Sequence, residues 1–389
     1  MDKDIPEPDA LHAEIRASVR RLCARFDLDY WRRCDDERAY PAAFVQAMSD
    51  AGWLGALIPE EYGGAGLGVT EAAIILEEIN RSGGTGAACH AQMYTMGALL
   101  RHGSDEQKRR YLPGIAAGTL RLQAFGVTEP DAGSDTTRVA TLARKTDRGY
   151  VLNGQKVFTS RVQHSDLMIL VARTTPLDQT EKKTRGISLF LIDLRAAGEA
   201  IEAVPIETML NHETNSLFIR DLQVPADALL GEEGQGFSYL LDGLNAERIL
   251  IASECIGDGR WFVERATAYA GQREVFGRAI GKNQGVQFPI AQAHMAIDAA
   301  DLMRLKAAAL FDAQRPCGPE ANIAKYLASE ASWQAADVAM STLGGYGLAR
   351  EYHVERKWRE TRLFRTAPVT NNLILAYVAE HVLGLPRSY

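Results

Sequence analysis

The feature that most constrains this chain is a change of period. From residue 10 to about residue 118, apolar residues recur every three to four positions, as in Leu11, Ile15, Val19 and Leu22, in Phe44, Met48 and Ala51, and in Ile74, Ile75, Leu76 and Ile79. That spacing puts them on one face of a helix. From Leu122 the text breaks into short segments rich in Val, Ile, Phe and Thr, over 150–158, 167–172, 187–192 and 217–224, each bounded by Gly, Asp, Asn or Pro. Near-alternation between such punctuation predicts strands. After Gly236 the helical period returns in longer runs, over 237–271, 283–314, 319–342 and 370–383. A helix-period pattern does not sit still as a strand. The order α, β, α therefore predicts an α+β chain: an N-terminal helical domain over 1–121, a central β-barrel or sandwich domain over 122–235, and a C-terminal bundle of long antiparallel helices over 236–389.

Composition narrows the function classes. With 389 residues, of which 46% are hydrophobic and 24% charged, the chain has the material for a large packed core. Its formal net charge of -7 supplies no basic field for a phosphate backbone, so nucleic acid is not an expected partner. The longest apolar stretches, 167–172 and 373–378, fall far short of the roughly 20 residues of a membrane span. Residues 1–9 are acidic and proline-bearing, without the apolar core of a secretion signal. A cytoplasmic protein is expected. Cys23, Cys34, Cys89, Cys255 and Cys317 form no CxxC pair and no cluster with histidine, so the expectation is reduced, buried thiols and no metal site.

Several local patterns bear on chemistry. Gly63-Gly64-Ala65-Gly66-Leu67-Gly68 lies between helical segments with no strand before it, which is the context of a loop rather than of a dinucleotide-binding turn. Gly344-Gly345-Tyr346-Gly347 follows a helix, where a C-terminal cap and turn belong. Val127 to Asp135 crowds small residues, hydroxyls and a turn-forming proline at the exit of the first strand, a tight turn able to bring N–H groups and hydroxyls against a flat polar ligand. Glu247 stands apart. It falls on one helical line with Leu240, Leu244, Ile251 and Cys255, so a carboxylate interrupts an apolar face. Two readings follow: a buried base suited to proton abstraction, or the ion-pair partner of Arg248 or Arg304. The mixed-sign runs 273–278 and 355–360 read as solvated faces or ion-pair networks.

Taken together, these motifs resemble the acyl-CoA dehydrogenase family from about Asp35 to Leu385. In family order they are Ala51-Gly52-Trp53 with Ile58-Pro59-Glu60-Glu61-Tyr62-Gly63-Gly64, Thr128-Glu129-Pro130 through Ser134-Asp135, Asn153-Gly154-Gln155-Lys156, Glu247-Arg248 with Gly257, Arg273 with Phe276-Gly277 and Gln284, Leu343-Gly344-Gly345-Tyr346-Gly347, and Arg359-Glu360. The resemblance implies noncovalent FAD, a homotetramer, an acyl-CoA or acyl-carrier-protein thioester as substrate and an electron-transfer flavoprotein as electron acceptor. It places Phe125, Val127, Thr128, Phe158 and Ser160 against the isoalloxazine ring, with Ser160 near flavin N5. Arg273, Phe276, Gln284, Gly344 and Gly345 match segments that reach the FAD of a neighbouring subunit, and Thr370 and Asn372 match further cofactor positions. Ser134, Asn245 and Arg248 match the acyl-thioester site, and the side chains around Tyr94, Met96, Leu99, Tyr239 and Leu240 are expected to shape the pocket.

The implied reaction is α,β-dehydrogenation, with a carboxylate taking the α proton and the β hydrogen passing as hydride to flavin N5. Two departures from the family pattern stand out. Ser341 and Thr342 displace the family glutamine before Leu-Gly-Gly, and Pro368 occupies the position of the loop glutamate that serves many members as base. Proline also lacks the N–H that helps hold the thioester carbonyl there. The isovaleryl-CoA and long-chain branches keep their base on the long helix, at the position of Glu247, which the resemblance therefore assigns as catalytic. A flavin monooxygenase and a noncatalytic acyl-thioester-binding protein are the alternative functions on this fold.

Overall fold

The computed structural model describes residues 10–387, so the acidic N-terminal stretch read above lies outside the described residues. Six helices come first: α1 (Ala10–Cys23), α2 (Leu28–Asp36), α3 (Ala42–Asp50), α4 (Val69–Arg81), α5 (Ala87–His102) and α6 (Asp105–Ala116). Then come β1 (Leu122–Gly126), β2 (Leu142–Thr146), β3 (Gly149–Ser160), β4 (Leu167–Arg173), β5 (Ile187–Asp193), a short α7 (Leu194–Ala197), β6 (Ile201–Pro205), β7 (Thr214–Pro225) and β8 (Leu229–Leu230). The last part holds α8 (Gly236–Gln272), the hairpin strands β9 (Glu274–Val275) and β10 (Arg278–Ala279), α9 (Gln284–Asp312), α10 (Gly318–Leu343), α11 (Val354–Leu363) and α12 (Asn371–Tyr377). The order helices, strands, helices is the one the periodicity predicts. The last run differs: it is α-helical only to Tyr377 and closes in a π turn over Val378–Val382, ended by Gly384 at a φ of 71°.

These elements belong to two compact units. The first comprises residues 37–66 and 87–244. Its sheet runs β6-β7-β3-β2-β4-β5-β8, with β1 alongside β4 in parallel. The central strands explain why their sequences read as unbroken apolar runs. Leu167, Ile169 and Val171 of β4 face one core with Ile187, Leu189 and Leu191 of β5, while Met168, Leu170 and Ala172 face a second core with Phe190 and Ile192. The first core is completed by Met96 and Leu99 of α5 and Leu112 and Ile115 of α6. A sheet covered on both faces has no polar side to show.

The second unit comprises the residues up to Asp36, 67–86 and those from Asn245 onward. Here α8 crosses α4 at Gly257, where a Cβ would lie 2.3 Å from the Glu77 carbonyl oxygen, so only glycine permits the approach. Buried charges neutralise one another around that crossing. Glu77 of α4 accepts from Arg16 of α1 (2.9 Å) and from Arg304 of α9 (3.1 Å), and it also pairs with Arg260 of α8. Next to Gly257, Asp258 meets Lys357 of α11 at 2.6 Å and accepts from Asn80 of α4 at 2.9 Å. Burial pushes the Asp258 carboxyl up to about 6 against the pull of Lys357. Breaking one partner of such a pair is costly because it strands the other. The result is a fixed α8, and α8 carries Glu247.

Candidate active site

In the sheet-containing unit the strand-end residues are brought together by one buried ion pair. Lys156 of β3 is fully buried and reaches Glu129 at 2.7 Å and the Val127 carbonyl at 3.1 Å. Glu129 also accepts the N–H groups of Ala140 (2.6 Å) and Thr141 (3.0 Å). Burial pushes the Glu129 carboxyl up, but Lys156 and these donors outweigh it and hold it below its ordinary value. Burial lowers Lys156 to about 8 against the pull of Glu129. The exit of β1 is thereby pinned onto β3, and the Val157 N–H donates to the Thr128 carbonyl at 2.9 Å.

Immediately beyond lies an irregularity in the β3–β7 register, between Lys156 and Thr159. Such bulges re-aim side chains. Phe158 sits in it at a φ of 57° and is 62% exposed, a conformation and an exposure that an aromatic residue rarely adopts. Two residues on, Ser160 opposes Thr214 of β7. Asn211, at a φ of 53°, donates to Ser160 Oγ (2.8 Å) and Thr214 Oγ1 (2.9 Å), and its own Oδ1 accepts from Arg161 at 2.6 Å. The guanidinium has only donors, so the amide orientation is fixed. Thr214 spends its hydrogen on the Asn211 carbonyl (2.7 Å), which leaves the Ser160 hydrogen to Thr214 Oγ1 at 3.1 Å or to an incoming acceptor. A solvent-facing aromatic beside a hydroxyl poised to donate fits a flat heteroaromatic group such as a flavin ring.

In the helical unit, Glu247 is 7% exposed on α8. Arg304, one of the two arginines that might have claimed it, is fully buried and committed to Glu77 and Asp301. The other, Arg248, donates to Asn245 at 3.1 Å; burial lowers its pKa, opposed by the nearby Glu247 carboxylate. So Asn245, Glu247 and Arg248 form one cluster at the start of this part of α8. The segment 365–371 is tied to α10 by Lys325, whose Nζ donates to the Val369 carbonyl and to Asn371 Oδ1, both at 2.8 Å. Thr370 then caps α12, accepting the Leu373 N–H at 3.3 Å.

Three family models match in order along the chain: the N-terminal domain of acyl-CoA dehydrogenase at residues 9–119, the middle domain at 124–222 and the C-terminal domain at 234–383. The chain belongs to the acyl-CoA dehydrogenase family. Its activity is accordingly the flavin-dependent dehydrogenation of acyl-CoA, an oxidoreduction at a CH–CH bond. Acyl-CoA dehydrogenase FadE12 of Mycobacterium tuberculosis is 36% identical over 380 residues, 96% of each chain. The solved glutaryl-coenzyme A dehydrogenase in complex with glutaryl-CoA is 30% identical and superimposes with a TM-score of 0.91, covering all of this chain and 98% of the other. A chain from the structure described as the electron transferring flavoprotein of Acidaminococcus fermentans is 29% identical, with a TM-score of 0.92 over 97% of this chain and 99% of that one.

The other residues singled out in this acyl-CoA dehydrogenase fall as follows. Phe125, Val127 and Thr128 lie half-buried at the β1 exit, with the Phe125 ring 5.7 Å from that of Tyr94, whereas Ser134 is exposed on the loop beyond. Arg273, Phe276 and Gln284 lie together on the β9–β10 hairpin and the start of α9, joined by the Ile280 N–H to the Arg273 carbonyl at 2.8 Å. Phe276 is fully exposed at a φ of 54°. Gly344 and Gly345 are exposed at the end of α10, with nothing within 4 Å of a Cβ built on either, and Asn372 is exposed on α12. Sequence reasoning missed Asn211, Arg161 and Thr214, which no local pattern marks. It also missed Lys325, which had the same signal as Glu247: a charge on the apolar line of Ala321, Ala324, Ala328 and Ala331.

Proposed function

We propose that Glu247 is the base of this acyl-CoA dehydrogenase and that FAD is its flavin. One observation carries the assignment: Glu247 is a buried carboxylate on an apolar helix line, and the buried arginine Arg304 is engaged elsewhere. In the reaction the substrate α C–H bond breaks, the proton passes to a Glu247 oxygen, and the electron pair forms the α,β double bond as the β hydrogen departs with its own pair. When bound, FAD supplies the acceptor for that hydrogen and its electrons. Asn245, Arg248 and Ser134 bind the thioester. Arg248 keeps a positive charge beside the carboxylate, and burial excludes water that would compete for the proton. On the flavin side, Phe158 offers a face for the ring, Phe125, Val127 and Thr128 line the strand end, and Ser160 donates its uncommitted hydrogen.

The reading extends to assembly. Phe288, Met295 and Leu302 of α9 are 54%, 61% and 70% exposed at intervals of seven, with Leu305 41% exposed three residues on. A heptad stripe of this kind is the seam of a helix pairing. It supports a homo-oligomer, a tetramer by family, in which Arg273, Phe276, Gln284, Gly344, Gly345, Thr370 and Asn372 serve a cofactor shared between copies. An electron-transfer flavoprotein is the proposed electron acceptor and the cytoplasm the proposed setting, in keeping with five cysteines that form no disulfide among the described residues. No helix among the described residues is long and apolar enough to cross a membrane.

The deciding experiment is anaerobic stopped-flow reduction of the flavin by acyl-CoA substrates in Glu247→Gln. The side chain keeps its size and loses its proton affinity, so flavin content and thioester binding persist while reduction slows by at least roughly two orders of magnitude. Reduction at the parental rate would remove Glu247 from the mechanism.

A further inference from the structure

Arg161 is 7% exposed, and no carboxylate lies at ion-pair distance from it among the described residues. Its guanidinium makes one hydrogen bond there, from Nη2 to Asn211 Oδ1 at 2.6 Å, and its Nε makes none. Burying a charge with so few partners opposes folding, and a neutral side chain would avoid it. The turn over 211–214 does not depend on that charge. The Arg161 main-chain N–H donates to the Glu213 carbonyl at 2.9 Å, Asn215 Nδ2 donates to the same carbonyl at 2.8 Å, and Thr214 Oγ1 donates to the Asn211 carbonyl at 2.7 Å. None of these bonds uses the guanidinium.

What the guanidinium fixes is a polarity. A side-chain amide presents an oxygen on one side and an NH2 group on the other, and its two orientations fill almost the same space. With Oδ1 held by a group that can only donate, the NH2 group faces Ser160 Oγ at 2.8 Å and Thr214 Oγ1 at 2.9 Å. In the reverse orientation Oδ1 would accept the Ser160 hydrogen and leave the hydroxyl with only lone pairs to offer. Oxidised flavin carries no hydrogen on N5, so a neighbouring hydroxyl can bond to that atom only as a donor.

We infer that Arg161 is a positioning residue for the flavin: by holding Asn211 Oδ1 it sets the direction of a short relay, guanidinium to amide to hydroxyl, that leaves Ser160 a donor toward the ring. The inference rests on the reading that Ser160 faces flavin N5. Two hydrogen bonds, of 2.6 and 2.8 Å, separate the guanidinium from the hydroxyl, and each donor polarises the next.

The test is titration of the full-length apoprotein with FAD and, separately, with 5-deaza-FAD, in which a C–H group replaces N5 and the rest of the molecule is unchanged. The ratio of the two affinities is the readout, because general loosening of the site weakens both ligands alike. The parent should bind FAD about five- to tenfold more tightly than the analogue, the worth of about one hydrogen bond, and Ser160→Ala should bring the ratio close to one. Asn211→Asp keeps the side chain's size and gives Arg161 an ion-pair partner, yet toward Ser160 it can only accept, so its ratio should also fall close to one. Arg161→Glu puts an acceptor where a donor stood and should turn the amide over with the same result. Arg161→Lys, again a donor only, should keep the parental ratio. A parental ratio in Asn211→Asp or in Arg161→Glu overturns the inference, as does a lost ratio in Arg161→Lys. Should Arg161→Glu fail to fold, Asn211→Asp and Arg161→Lys still decide. An unchanged ratio in Ser160→Ala brings down the placing of Ser160 at N5 and the inference with it, whereas an apoprotein that takes up neither ligand brings down FAD as the cofactor.

Discussion

Replacing Lys156 by methionine removes a charge and leaves its partner in place. Glu129, 6% exposed, would keep two N–H donors but lose its contact with the Lys156 ammonium, and the Val127 carbonyl would lose a donor. Stranding one half of a buried pair costs about 3–5 kcal/mol. For a unit of this size about 2–4 °C of melting temperature goes with each kcal/mol, so flavin release should occur about 6–20 °C earlier. The assay is a melt followed by flavin fluorescence. The double variant Lys156→Met, Glu129→Gln no longer buries a charge and should melt above the single one. Acid separates the cases further. In the parent, Lys156 holds the Glu129 carboxyl below its ordinary 4.5, so the pair's stabilisation is complete above that value and fades as pH falls through the folded-state value. In Lys156→Met the stranded carboxylate accepts a proton more readily, so the deficit against the parent narrows as pH falls from 7 toward 5. A single variant within 2 °C of the parent, or a double variant less stable than the single, would refute the reasoning.

Asn211→Gly keeps the left-handed backbone and deletes only the amide; FAD should bind the apoprotein about five- to tenfold more weakly in a fluorescence titration, the worth of about one hydrogen bond. Leu302→Glu alters a side chain that is 70% exposed, so the fold should persist while sedimentation shows a smaller particle. Gly257→Ala drives a methyl against the Glu77 carbonyl and should lower stability by about 1–3 kcal/mol in chemical denaturation.

The fold was legible because its periods are clean. The two-sided burial of β4 and β5 wrote itself as continuous apolar text, and the long helices kept their stripes over many turns. Glu247 was legible for the same reason, as an exception on such a stripe. What the sequence hides are partnerships between residues far apart. Asn211 reaches Ser160 across fifty-one positions, and Lys325 reaches Val369 across forty-four. Neither separation leaves a local period. Arg304 shows the converse: spacing offered it to Glu247, and only the packing of α4 against α9 shows it taken by Glu77.

Lys325 holds its segment by a main-chain carbonyl, and every amino acid has one. The grip is therefore indifferent to which side chains stand at Ala367, Pro368 and Val369. On the proposal that Glu247 of α8 is the base, those three positions are free to vary without removing the proton acceptor. They form a natural site for randomisation, in which the hold of Lys325 on the carbonyl at position 369 is kept in every variant.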